Sequence, residues 1–81
     1  MNDNTKNIKE IIREKLDKTD KNGRSYLILK LNNDETIFVF SSKIKEDRWS
    51  WLNEGQEYNF KVEEGNNGSN LLVDFEIEVN P

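Results

Sequence analysis

Two groups of side chains in this sequence carry the chemistry of recognition, and both mix aromatic rings with cations. The first is Arg24, Tyr26 and Lys30, followed by Phe38 and Phe40. The second is Lys43, Lys45, Arg48, Trp49 and Trp51. Flat rings stack on other flat groups, and lysine and arginine contact anions, with Trp, Tyr and Arg prominent wherever binding energy is concentrated. Reaction chemistry has far less to work with. The 81 residues hold no cysteine and no histidine, which excludes disulfides, thiolate metal sites, cysteine nucleophiles and imidazole acid–base catalysis. No Gly-rich phosphate loop leads into Lys-Ser or Lys-Thr, and carboxylate pairs such as Glu63-Glu64 fall in surface or loop stretches. The run Asp17–Gly23 resembles a calcium loop only superficially. With Gly23 in the sixth position, Lys18 takes the first and Leu29 the twelfth, where carboxylates are required. The expectation is a binding protein, not an enzyme, with no metal and no cofactor.

Which of these side chains are presented depends on the elements that carry them. The stretch Gly23–Ser42 reads as two β-rich runs flanking the polar turn Asn32-Asn33-Asp34-Glu35, the sequence form of a hairpin. Strand alternation sets Leu27, Leu29 and Leu31 on one face and Tyr26, Ile28 and Lys30 on the other. If the leucines are core, Tyr26 and Lys30 point outward. The turn decides Phe38 and Phe40. An even-numbered loop places them inside with the leucines; an odd-numbered loop buries Ile37 and Val39 and exposes both rings. A core position is the default expectation.

The rest of the chain follows in order. Residues 1–7 are polar and expected to form a disordered tail. Residues 8–19 are ambiguous: Ile8, Ile11, Ile12 and Leu16 fall on one helical face, and Asn7 with Glu10 fits a capping box. Against that, Asn22-Gly23 is a hairpin signal, and a turn leading straight into Tyr26–Leu31 asks for a strand before it. Lys43–Asn53 reads as a short helix with Ile44, Arg48, Trp51 and Leu52 on its apolar side and Trp49 pointing elsewhere. On that reading Trp51 plugs the core and Trp49 is presented to a ligand or forms a half-buried lid. Gln56–Glu64 alternates, with Tyr58, Phe60 and Val62 inward. Asn70–Val79 alternates too, with Leu71, Val73, Phe75, Ile77 and Val79 inward and Leu72, Asp74, Glu76 and Glu78 outward. The sequon Asn67-Gly68-Ser69 has no meaning in a cytosolic chain.

Composition bounds the class. One domain is expected at this length, with a third of the residues hydrophobic and eight aromatics to build a core. No apolar run reaches membrane-spanning length, and the first residues lack the pattern of a signal peptide, so a cytoplasmic location is expected and no membrane partner. The formal net charge of −4 is unevenly spread: residues 1–48 hold eleven of the twelve Lys and Arg, and residues 49–81 hold only Lys61 against seven acids. An acidic chain gains little from nonspecific attraction to phosphate.

The order strand or helix, strand, strand, short helix, strand, strand resembles an OB-fold barrel. The runs K-T-D-K-N-G-R-S-Y-L-I-L-K-L, T-I-F-V-F and L-N-E-G-Q-E-Y-N-F-K-V are similar to the nucleic-acid-binding OB modules of DNA polymerase and aminoacyl-tRNA synthetase accessory domains. The match spans roughly residues 8–79 and departs at Asn32–Glu35, where many such modules place a glycine. The resemblance implies an all-β fold with one short helix, a small five-stranded barrel over residues 8–81 in which 8–19 pairs with 24–32. The alternative is an α+β chain, an N-terminal helix on a four-stranded antiparallel meander. The resemblance further implies single-stranded nucleic acid as partner, DNA or RNA, with Arg24, Tyr26, Lys30, Phe38, Lys43, Arg48 and Trp49 as the contact residues. A second reading is an acidic protein-interaction module, docking its acidic last strand and Trp49 on a nucleic-acid-handling protein.

Overall fold

Asp20 fixes the first turn. Its carboxylate oxygen Oδ1 accepts hydrogen bonds from the N–H groups of Asn22 and Arg24, and Gly23 takes the left-handed φ of 81° that the turn requires. The chain on either side is thereby brought into pairing, and residues 8–19 form a strand. Strand β1 runs Thr5–Thr19, longer at its start than expected, and β2 is Ser25–Leu31. The local helical periodicity of Ile8, Ile11, Ile12 and Leu16 is overridden because β1 pairs along both sides. Its second half pairs with β2 and its first half with β4. A helix there would leave two sheet edges open.

The computed structural model describes residues 5–65 and 68–77, and the expectations for residues 1–4, Asn67, Glu78 and Val79 lie outside them. Strand β3 is Thr36–Phe40, a 3-10 helix spans Glu46–Trp51, β4 is Glu57–Glu64 and β5 is Asn70–Ile77. The strands close in the order β1-β2-β3-β5-β4 and back to β1. All pairings are antiparallel except the short parallel contact of β3 with β5.

The turn between β2 and β3 is a three-residue loop, Asn32-Asn33-Asp34. Leu31 N–H donates to the Glu35 carbonyl, and Asp34 occupies the left-handed region at φ 71°. This is the common odd-numbered hairpin, with aspartate standing where glycine is usual. Its register puts Leu27 opposite Val39 and Leu29 opposite Ile37, and these four are fully buried. Phe38 and Phe40 are therefore on the outer face, which corrects the core expectation.

The interior is filled by Ile8 and Ile12 of β1, the three β2 leucines, and Tyr58, Phe60 and Val62 of β4. The last strand departs from simple alternation. Lys61 is opposite Asp74 but Val62 is opposite Leu72, so Val73 is an extra residue in β5. That bulge reverses the strand's parity. Leu72 and Phe75 are buried, whereas Leu71 and Val73 are half-buried and Ile77 is 48% exposed. A second bulge between Ile12 and Glu14 does the same in β1 and turns Leu16 outward, opposite Ile28.

The connection after β3 also differs from the expected helix. At three residues per turn, Trp49 and Leu52 are eclipsed, and both are buried with Ile44. Trp49 is 7% exposed, and its indole Nε1 donates to the Ile44 carbonyl at 3.0 Å. Trp51 is 53% exposed. The assignments of the two tryptophans are thus exchanged: Trp49 plugs the barrel end and Trp51 faces out, because a 3-10 period replaced the α-helical one.

Candidate nucleic-acid interface

The outer face of β1, β2 and β3 carries a contiguous apolar strip. Residues directly opposite on paired strands share a face, so the register reads out who sits beside whom. One row across the sheet is Leu16, Ile28, Phe38 and Leu71; the row beside it is Lys18, Tyr26 and Phe40. The third row is Glu14, Lys30 and Thr36. Every apolar member of these rows is half-buried. In a chain with 35% charged residues, an apolar strip on the outside of a sheet is a candidate contact surface.

The rings within it are ordered. Tyr26 and Phe40 have centroids 5.5 Å apart with planes tilted by 31°, and Phe38 and Phe40 are 6.4 Å apart and within 13° of parallel. Phe38, Phe40, Ser69 and Leu71 line a shallow depression where β3 and β5 diverge. Beyond Phe40, a second and more polar recess is lined by Arg24, Ser25, Ser41 and Ser42, with Asp20 at its side. Arg24 therefore stands at one end of the strip, while Lys30 lies on its β2 row. Among the described residues neither Lys18, Arg24 nor Lys30 takes part in a salt bridge.

The remaining expected contact residues are elsewhere or engaged. Lys43 follows β3 closely, and its ammonium is 2.8 Å from Glu63 Oε1. Arg48 sits on β5: it pairs with Asp74 at 3.2 Å and its guanidinium covers the Phe75 ring at 4.6 Å and the Trp51 ring at 5.6 Å. Trp49 is in the core. The structure brings Tyr26, Lys30 and Phe38 together, with Arg24 at the margin, and separates them from Arg48 and Trp49. Phe40, weighed with Phe38 in the sequence, is on the same surface, and so are Leu16, Lys18 and Leu71, which were not among the expected contacts. Only the parity of the Asn32–Asp34 loop and the two bulges could have pointed to them. No group of three or more potential ligand side chains suited to a metal ion occurs among the described residues, and no helix among them is long and apolar enough to cross a membrane.

A five-stranded closed barrel with a short helix between β3 and β4, and an aromatic outer face on β2 and β3, defines an OB-fold protein. The crystal structure of the mitochondrial single-stranded DNA binding protein Rim1 from S. cerevisiae superimposes with a TM-score of 0.74 over the whole of both chains, at 18% identity, and shares that fold. Cold shock-like protein CspB of Bacillus cereus is 36% identical over 47 residues, which are 58% of this chain and 72% of that protein. The chain belongs to the cold shock-like protein family. No protein-family model matches the sequence.

Proposed function

We propose that this protein binds single-stranded nucleic acid on the outer face of β1, β2 and β3, without catalysing a reaction. The observation that carries the reading is the ring strip Tyr26–Phe40–Phe38, presented on the outside of the sheet instead of being spent in the core. Successive bases would stack on these rings, with Ile28, Leu16 and Leu71 as apolar flanks. Lys18, Arg24 and Lys30 supply phosphate contacts from the edges. The name of Rim1 and the family membership support the same ligand class. The protein-docking reading loses its main support, since Trp49 is buried and Asp74 is already paired with Arg48.

Stacking is worth about 1–3 kcal/mol per base, roughly five- to hundred-fold in affinity. The test is anisotropy titration of a short fluorescent single strand at two salt concentrations. Phe38→Ala and Tyr26→Ala should each weaken binding by that factor, and Trp51→Ala should leave it unchanged. The salt slope should be shallow, because few cations line the strip. Absence of wild-type binding at low salt would refute the reading.

A further inference from the structure

We propose that Glu63 is a built-in competitor for the phosphate that Lys43 would otherwise contact, holding the interface below the affinity its cations allow. The inference rests on the binding face proposed above. Lys43 begins where β3 ends, with its own N–H and that of Ile44 both donating to the Phe40 carbonyl at 3.0 Å. Glu63 lies on β4 opposite Leu71 of β5, and Leu71 lies opposite Phe38 of β3. The Lys43–Glu63 pair therefore reaches from the end of β3 across β5 to β4. Glu63 is thereby the cross-strand neighbour of Leu71, one wall of the depression that Phe38, Phe40 and Ser69 also line. The proposal places the phosphate of a base stacked in that depression on the Lys43 side.

Lys43 meets that phosphate already neutralised. The two side chains are 43% and 30% exposed, so the pair is accessible to solvent and weak enough for a phosphate oxygen to displace the carboxylate. Displacement leaves Glu63 beside an incoming negative backbone. The carboxylate must then take up a cation from solution, which cancels much of the counterion release that normally favours phosphate binding. Lys18, Arg24 and Lys30 make no salt bridge among the described residues, so this restraint falls on one cation of the interface.

Glu63→Gln removes the charge and keeps the shape. It should bind a fluorescent oligothymidylate roughly two- to five-fold more tightly at low salt, the scale of one exposed ion pair. The plot of log affinity against log salt should steepen by about 0.7, the value of one added phosphate contact on a single strand. Lys43→Met in the Glu63→Gln background should abolish both gains, whereas Lys43→Met alone should change binding much less. Equal melting temperatures for all variants establish that the comparison concerns binding. If Glu63→Gln has wild-type affinity and slope while binding still depends on Phe38, the pair is structural and this inference is overturned alone. If neither wild type nor Glu63→Gln binds, both readings fall.

Discussion

The two tryptophans, two residues apart, should respond in opposite ways to substitution. Trp49 is 7% exposed; its indole donates to the Ile44 carbonyl, and its own carbonyl accepts from Leu52 N–H at 3.1 Å and from the Lys15 ammonium at 2.9 Å. Truncating a buried aromatic costs about 3–5 kcal/mol, and orphaning the Ile44 carbonyl moves Trp49→Ala toward the upper end. A domain of this size has little more than that to lose. Trp49→Phe is the usable variant: it forfeits one hydrogen bond and part of the indole volume, about 1–3 kcal/mol in all. Trp51 is 53% exposed, and the Arg48 guanidinium lies 5.6 Å from the centroid of its ring. Trp51→Ala should cost under about 1 kcal/mol. Equilibrium urea unfolding followed by far-UV circular dichroism measures both. With a slope near 1 kcal/mol per molar urea, Trp49→Phe should lower the midpoint by about 1–3 M and Trp51→Ala by less than about 1 M. Acrylamide should quench the tryptophan that remains in Trp49→Phe, and spare the one that remains in Trp51→Ala. A larger loss for Trp51→Ala, or free quenching of Trp49, would refute the 3-10 register and return Trp49 to the surface.

Two further outcomes test the turn and the bulge. Asp34→Val puts a β-branched side chain at a φ of 71° and should cost about 1–2 kcal/mol, whereas Asp34→Gly should stay within about 1 kcal/mol of wild type; thermal unfolding of the pair reads the difference. Leu72→Ala should cost about 2–5 kcal/mol and Val73→Ala less than half of that, measured by urea midpoints; the reverse order would show that β5 alternates without its extra residue.

The elements of this barrel were legible in the sequence where hydrophobic alternation was uninterrupted. Tyr58, Phe60 and Val62 of β4 and the β2 leucines show the pattern plainly and are buried as expected. The pattern failed wherever one residue changed the parity of a strand. Val73 shifts β5 and Arg13 shifts β1, and neither has a side chain that announces a bulge. The loop Asn32–Asp34 hid its odd length because aspartate, not glycine, takes the left-handed position. That single position moved Phe38 and Phe40 from the core to the candidate interface. The identity of β1 was not local at all: its helical periodicity yields to two partners, one of them most of the chain away.

That double pairing governs how the protein can be cut and how it must assemble. The first half of β1 is made early and finds its place against β4 only after β4 exists, so closure is a late, long-range event of the kind that slows folding. A truncation that removes residues 5–11 would spare the pairing of β1 with β2 and the ring strip carried by β2 and β3. It would also bare the hydrogen-bonding edge of β4 from Glu57 to Glu63. An open edge of that length invites a strand from another molecule, and the most available donor is the same segment of an intact copy. Mixtures of shortened and full-length chains would then form strand-exchanged pairs, with each intact N-terminus serving a neighbour in place of its own barrel.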